Sequence, residues 1–104
     1  MPRIPLAVRK EIEIAEGVAD LERMLAPDVV YIRFNVREDW SGDPAVYFNV
    51  MLSDEAGNNR LIEVTELVEA QLDERLDFES LGLYPYPHYR TQTEQAKLRD
   101  KEWA

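Results

Sequence analysis

Three carboxylates lie around one short segment and are the clearest candidates for acid–base chemistry or metal binding. Asp39 and Asp43 flank residues 40–42, and Glu38 precedes them. Carboxylate oxygens can bind calcium or magnesium, but the segment lacks the alternating ligands and the closing glutamate of an EF-hand loop. Aspartate with glycine and proline is also the ordinary composition of a turn. A turn is therefore the favoured interpretation, and no metal site is predicted.

His88 is the single histidine of the chain and the side chain best suited to proton transfer near neutral pH. No nucleophile–histidine signature surrounds it, so a structural role is favoured. Cysteine is absent, which excludes thiolate catalysis and sulfur-ligated zinc. The glycines are scattered and form no phosphate-binding loop. The sequence predicts no cofactor, and a small carboxylate- or metal-dependent enzyme centred on Asp39, Asp43 and His88 is kept as an alternative.

Net charge bears on the kind of partner. The chain has 104 residues, with 12 basic residues against 21 acidic ones and a net charge of -9. Such a charge disfavours nucleic acid and anionic membranes and favours cationic partners. It is explained either by solubility alone or by the neutralisation of a basic protein. The first residues lack the apolar region of a secretory signal, and no uncharged stretch is long enough to span a membrane, so a cytoplasmic location is expected.

A hairpin is the clearest structural prediction. Residues 29–38 alternate between apolar and polar side chains, and residues 46–52 do the same after a polar loop. One face of the hairpin is predicted to be apolar and buried: Val30, Ile32, Phe34, Val36, Val46, Phe48, Val50 and Leu52. The opposite face is predicted to be half-exposed: Tyr31, Arg33, Asn35, Arg37, Tyr47, Asn49 and Met51.

Helices are predicted on both sides of this hairpin. Apolar spacing indicates a first helix that ends at Ala26-Pro27, although Gly17 and the alternation of residues 11–15 leave open a helix or a strand there. Residues 53–58 are predicted to form a turn, with Asn58 or Asn59 as the cap of a second helix over residues 61–76. Residues 84–89 alternate aromatic residues with proline, which predicts an edge strand or an extended segment. Residues 91–104 are polar and are predicted to be a short helix or a tail without its own core.

The half-exposed face of the hairpin is the most informative surface. Tyrosine, arginine, tryptophan and methionine are enriched at protein interfaces, although the same residues also suit a half-exposed sheet in water or the stacking of nucleic-acid bases. Trp40 is expected either to fold back on the sheet, which is favoured, or to remain exposed for a partner. The predicted partner-binding residues are Tyr31, Arg33, Trp40, Tyr47, Met51, Tyr86 and Trp103.

The loop motif also carries a family resemblance. The segments DWSGDPA (39–45), LGLY (81–84) and RTQTEQA (90–96) resemble a family of small, uncharacterised bacterial proteins. The resemblance implies genes beside those of HEPN-type or nucleotidyltransferase-type proteins, in toxin–antitoxin-like or defence-like operons. No arginine lies four to six residues before His88, so the resemblance implies the companion of a nuclease and not the nuclease itself.

These observations predict one α+β domain over residues 1–90, in which two helices cover one face of an antiparallel sheet, followed by the 91–104 tail. A two-stranded sheet is marginal alone, so residues 84–89, residues 11–15 or a second subunit should extend it, which favours a homodimer. The predicted function is that of a non-catalytic protein-binding module, an acidic antitoxin-like partner of a basic toxin or nuclease. A purely structural homo-oligomeric subunit is a further alternative.

Overall fold

The computed structural model describes residues 6–103 and confirms the α+β class. The elements follow the chain as α1 (Leu6–Leu25), β1 (Val29–Glu38), β2 (Pro44–Leu52), α2 (Asp54–Asn59), α3 (Leu61–Arg75), α4 (Phe78–Leu81), β3 (Tyr84–Thr91), α5 (Gln92–Leu98) and a 3₁₀ turn, Lys101–Trp103. Residues 11–15 belong to α1, so the strand alternative for them is wrong.

The three strands form one sheet in the order β1-β2-β3. β1 and β2 pair antiparallel as the predicted hairpin, and β3 pairs with β2 in parallel, so the sheet is mixed. The proline-rich segment is an edge strand, as predicted, because Pro85 and Pro87 have no N–H to donate to a central ladder.

The core lies between the sheet and helices α1 and α3. It combines Leu21 of α1, Val68 of α3 and Phe48 of β2, each of which has no exposed surface. Gly17 fits this arrangement, because a Cβ at that position would lie 3.0 Å from a methyl carbon of Leu76. The glycine costs α1 some helix propensity but permits a close approach to the end of α3.

The apolar positions of β1 and α3 depart from simple periodicity near the start of each element. Val30 was expected in the core but is 41% exposed, because a bulge between Val29 and Tyr31 turns Val29 inward instead. In α3, Leu61 is 47% exposed, whereas Val64, Val68 and Leu72, which follow it at helical spacing, are buried. β1 thus enters the core one residue earlier, and α3 one step later, than simple periodicity predicts, whereas β2 is buried on its predicted face from Val46 onward.

The predicted turn at residues 53–58 is instead helix α2. Ser53 caps it by accepting a hydrogen bond from the Ala56 N–H at 3.2 Å, which satisfies a donor of the first turn. Neither Asn58 nor Asn59 caps α3. Arg60 occupies that position, and its guanidinium donates two hydrogen bonds to the Asp28 carboxylate at 2.7 and 2.9 Å.

The strand register fixes which backbone groups point to the outer edge of β1. The Ile32 N–H donates to the Glu22 carboxylate at 2.7 Å and therefore points away from β2. Glu38 pairs with Pro44, which has no N–H, so that pair also cannot exchange two ladder bonds. Because the pattern alternates along an antiparallel strand, the N–H and C=O groups of Phe34 and Val36 also point to the outer edge.

The outer edge of β3 is built differently. The same alternation directs Pro85, Pro87, Tyr89 and Thr91 outward. The two prolines carry no donor, and the Thr91 N–H is bonded to the Glu94 carboxylate at 3.0 Å. Of the two edges, β1 therefore retains more of its hydrogen-bonding groups.

The two phenylalanines of the hairpin should differ in their contribution to stability. Phe48 has no exposed surface, whereas Phe34 only packs against the margin of the core. We expect Phe48→Ala to lower the free energy of unfolding by about 3 to 5 kcal/mol, because it leaves a cavity, and Phe34→Ala to cost clearly less. Urea denaturation of both variants measures the difference. Equal losses would contradict the packing described here.

Candidate functional site

The face of the sheet opposite α1 and α3 is here called the open face. The register places on it the whole predicted half-exposed set and adds residues from β3: Tyr31, Arg33, Asn35, Arg37, Ala45, Tyr47, Asn49, Met51, Tyr84, Tyr86, His88 and Arg90. The predicted partner-binding residues Tyr31, Arg33, Tyr47, Met51 and Tyr86 therefore share one face.

The C-terminal segment covers one end of the open face. The Tyr31 hydroxyl donates to the main-chain carbonyl of Trp103, and Arg90 stacks on the Trp103 ring with 4.8 Å between guanidinium carbon and ring centre. Asn49 donates to the carbonyl of Glu102 at 3.2 Å. Tyr31 and Arg90 are the strand neighbours of Met51 on either side, so Met51 lies beneath this segment.

Two predicted site residues are consequently buried within the chain. Met51 is 3% exposed and Trp103 is 4% exposed, so the expectation that both side chains are exposed is wrong, while their part in binding a partner stays a prediction. The physical reason is that Trp103, the one aromatic residue of the polar tail, is buried by docking on the sheet, whereas Leu98 stays 60% exposed. A capping box between Thr91 and Glu94 starts α5 and directs the tail back along the sheet.

Each arginine of the open face lies over an aromatic ring. Arg33 is 4.1 Å from the centre of the Tyr31 ring, and Arg37 is 4.2 Å from that of Tyr47. Cation–π contacts of this kind hold a guanidinium near a surface while its donors stay available. Arg90 is paired with Asp100 at 3.3 Å, but neither Arg33 nor Arg37 has a carboxylate partner within residues 6–103.

Aromatic rings continue the open face across β2 and β3. The rings of Tyr47 and Tyr86 stack with their centres 5.0 Å apart, and Tyr84 lies 5.0 Å from Tyr86 on the other side. His88 stacks on Tyr47 at 6.1 Å. Between this row and Trp103 lies a groove of about 550 Å³, lined by both arginines of β1 and by Asn49.

Trp40 extends the aromatic row into the β1–β2 loop. It is 90% exposed, so the favoured expectation that it folds back on the sheet is wrong. Together with Tyr84 and Tyr86 it borders a second hollow, of about 660 Å³. Trp40, Tyr84, Tyr86 and Tyr47 are called the aromatic row below.

Asp39 explains why the loop holds Trp40 outward. Its carboxylate accepts hydrogen bonds from the Ser41 N–H at 2.9 Å, the Ser41 hydroxyl at 2.7 Å and the Asp43 N–H at 3.0 Å. Its other oxygen accepts from the Tyr86 hydroxyl at 2.8 Å. Gly42 completes the turn with a φ of 86°, a value that glycine adopts without strain. The turn is thus fixed both internally and to β3.

The hydrogen bonds also set the proton affinities of this pair. Donation by the Ser41 side chain, followed by that of Tyr86, lowers the pKa of Asp39 to about 2. Acceptance by Asp39 raises the pKa of Tyr86 to about 12. Asp39 therefore remains an anion and Tyr86 a neutral donor throughout the physiological range.

The residues considered for catalysis do not form one constellation in the described chain. Asp39 is engaged by the turn, Asp43 bonds to Ser41 in the same turn, and His88 is an exposed member of the open face. Within residues 6–103, no three side chains of the metal-ligating types are grouped so as to hold an ion.

The predicted binding residues did not include Tyr84 or Arg90 of β3, and Arg37 of β1 was predicted only as part of the half-exposed face. The sequence does show that residues 84, 86, 88 and 90 alternate along a strand and therefore share one of its faces. The missing information was the parallel pairing of β3 with β2, which places these residues beside Tyr47 and Met51.

Charge is divided between the two sides of the molecule. Helices α1 and α3 carry ten acidic and four basic residues, whereas the three strands carry three arginines and one glutamate. The net negative charge of the chain is thus concentrated in the helical layer, and the open face is locally cationic.

Comparisons with protein-family models, curated proteins and solved structures found no match. The resemblance of the loop motif to a bacterial family therefore stays a prediction. No helix within the described residues has the length and apolar character needed to cross a membrane.

The two tryptophans should report the two environments separately. Excitation at a wavelength that tyrosine does not absorb leaves Trp103 as the emitting residue in Trp40→Phe, and we expect blue-shifted fluorescence that acrylamide quenches weakly, because that ring is buried. In Trp103→Phe only Trp40 emits, and we expect red-shifted, strongly quenched fluorescence. Similar spectra and similar quenching in the two variants would contradict the docking of the tail.

Asp39 should titrate with an unusually low pKa. Its folded pKa of about 2 lies below the value of about 3.9 for a free side chain, so its contribution to stability is present above pH 4 and is lost as pH falls through 2. Carbon-detected NMR of the carboxyl group measures this titration, and Tyr86→Phe and Ser41→Ala should each raise the pKa. An unperturbed titration near pH 4 in the parent protein would show that the turn is not hydrogen-bonded as described.

Proposed function

We propose that this protein is a non-catalytic protein-binding module whose contact surface is the aromatic row with the adjoining arginines of β1. The observation that carries the proposal is the exposure of Trp40, a 90% exposed tryptophan on a turn held by four hydrogen bonds to one carboxylate. A large exposed ring costs solubility unless a partner covers it. Tryptophan is also the residue most often found to dominate binding energy at interfaces.

Rigidity supports the same proposal. Because Asp39 binds the loop to Tyr86, and Tyr86 stacks on Tyr47, the aromatic row is ordered before any partner arrives. An ordered surface loses little conformational entropy on association, so more of the contact energy contributes to affinity. Aromatic and arginine side chains around a central ring also match the composition of interface cores.

Charge favours a second candidate, which is a basic partner. The acidic layer formed by α1 and α3 would attract a cationic toxin or nuclease, as in the antitoxin-like role that the family resemblance implies. Such a partner would approach the helices, since Arg33 and Arg37 repel it from the open face. A cytoplasmic location, as expected from the sequence, would bring the two proteins together.

Self-association has less support from the structure than from the sequence. The sequence predicted that residues 84–89, residues 11–15 or a second subunit would extend a two-stranded sheet, which favoured a homodimer, and residues 84–89 now supply that strand as β3. The enzyme alternative has lost support for a related reason, because Asp39 is occupied by its turn.

The experiment begins with purification of tagged protein from its native host and identification of the co-purifying protein by mass spectrometry. The dissociation constant is then measured with both purified components. Trp40→Ala should weaken binding at least about 30-fold, corresponding to a loss of about 2 kcal/mol at a central interface residue. Ile62→Ala is the matched control, because Ile62 is a 73% exposed apolar residue on α3 and lies outside the aromatic row.

The second candidate predicts a different pattern. If a basic partner binds the acidic layer, the charge reversals Glu63→Lys and Glu66→Lys should weaken binding and Trp40→Ala should not. A dissociation constant that is unchanged by Trp40→Ala would overturn the proposal for the aromatic row.

A further inference from the structure

We propose that the outer edge of β1, over residues 34–38, accepts an extended segment of a partner protein as a fourth strand, and that this segment carries two carboxylates four residues apart. The proposal concerns the main chain of β1 and the charge beside it. It goes beyond binding through the aromatic row, and either proposal can fail without the other.

The two edges of the sheet differ in their free backbone groups. The Phe34 and Val36 backbone groups point outward, and no acceptor within residues 6–103 receives a hydrogen bond from their N–H groups. Only the start of β1 is protected, by the Glu22 carboxylate on Ile32. β3, by contrast, has prolines at two of its outward positions. Open backbone groups along a strand are a template for pairing with another strand.

Two arginines place positive charge beside the open edge. Arg33 and Arg37 are exposed, stand on the open face and have no carboxylate partner among the described side chains. Four residues of strand separate them by about 13 Å. A strand paired with β1 would place residues of the same spacing opposite them, and opposite charges across paired strands are stabilising. Carboxylates four residues apart therefore match the edge.

The other face of the added strand would lie on the helical side of the sheet, beside apolar residues of β1. Phe34 and Val36 lie on the helical side, and both are half-buried and packed against the core margin. An added strand would cover their exposed parts with its intervening side chains, so apolar residues should alternate with the acidic ones. The partner segment is thus an alternating acidic–apolar strand.

A second copy of this chain is a poor occupant of the edge. In a two-fold antiparallel pairing of β1 with itself, the outward groups at even positions must oppose each other. Every such register within residues 32–38 places an arginine at position 33 or 37 directly opposite, or diagonal to, an arginine of the other copy. Like charges directly opposite each other are destabilising, and diagonal neighbours are also within reach of side chains as long as arginine. The charge pattern therefore selects an acidic segment of a different protein.

The probe for the test is the fluorescein-labelled peptide Val-Glu-Val-Gln-Val-Glu-Val, with a matched peptide in which lysine replaces both glutamates. Fluorescence anisotropy should show that the glutamate peptide binds about tenfold or more tightly than the lysine peptide. Nitrogen-15 NMR should show shifts of the Phe34 and Val36 amide signals and not of the Tyr89 signal, and the NMR arm uses the unlabelled peptide.

Three variants sharpen the result. Val36→Pro removes one outward donor, as Pro85 and Pro87 do in β3, and should weaken peptide binding while circular dichroism stays native. Arg33→Glu/Arg37→Glu should reverse the preference, so that the lysine peptide now binds better. Arg9→Glu is the matched control, an exposed arginine of α1 whose reversal should not change the preference. The double charge reversal keeps the test decisive if Val36→Pro fails to fold.

Equal binding of the two peptides, absence of binding by the glutamate peptide, or shifts confined to the β3 edge would each overturn the proposal. Sedimentation that shows a dimer broken by Val36→Pro would overturn it as well, because a second copy would then occupy the edge. Trp40→Ala should bind the glutamate peptide like the parent protein, which separates this proposal from that for the aromatic row.

Discussion

The burial of β2 is the constraint on which the rest of the structure depends. As the central strand it is paired on both edges, and Val46, Phe48 and Val50 lose all exposure against α1 and α3. Its opposite face needs cover as well, and Met51 obtains it from the C-terminal segment that brings Trp103 onto the sheet. Toward the β1–β2 loop the same face carries the aromatic row, where Tyr84 is 62% exposed and Trp40 is 90% exposed. The face therefore has one end covered by the C-terminal segment and another end, at the aromatic row, that is exposed among the described residues.

Asp39 connects this architecture to the proposed function. One carboxylate orders the β1–β2 turn, and its bond to Tyr86 fixes that turn against the neighbouring parallel strand. Trp40 is presented as a consequence of this order. Asp39 and Asp43, which the sequence offers as candidate metal ligands, thus form the hydrogen bonds that order the β1–β2 turn. In physical terms, the polar groups of the loop are satisfied by one another, and the apolar ring is the group left for solvent or for a partner.

The hairpin and the face of each alternating residue from Tyr31 onward could be predicted from sequence, because period-two patterning is local and is reinforced by β-branched residues. Three features could not. The bulge after Val29 depends on a local irregularity in pairing, the parallel docking of β3 depends on contacts distant in sequence, and the burial of Trp103 depends on the tail finding the sheet. The exposure of Trp40 was also missed, since its orientation follows from the hydrogen bonds of Asp39 and not from its own hydrophobicity.

Native-state hydrogen exchange of the β1 amides measures whether the sheet keeps one open edge while its interior ladder is closed. We expect slow exchange at Arg33, Asn35 and Arg37, whose N–H groups point to β2, and fast exchange at Phe34 and Val36, whose N–H groups point outward. Slow exchange at Phe34 and Val36 in the isolated monomer, or fast exchange at Arg33 and Asn35, would contradict the register and with it the open edge.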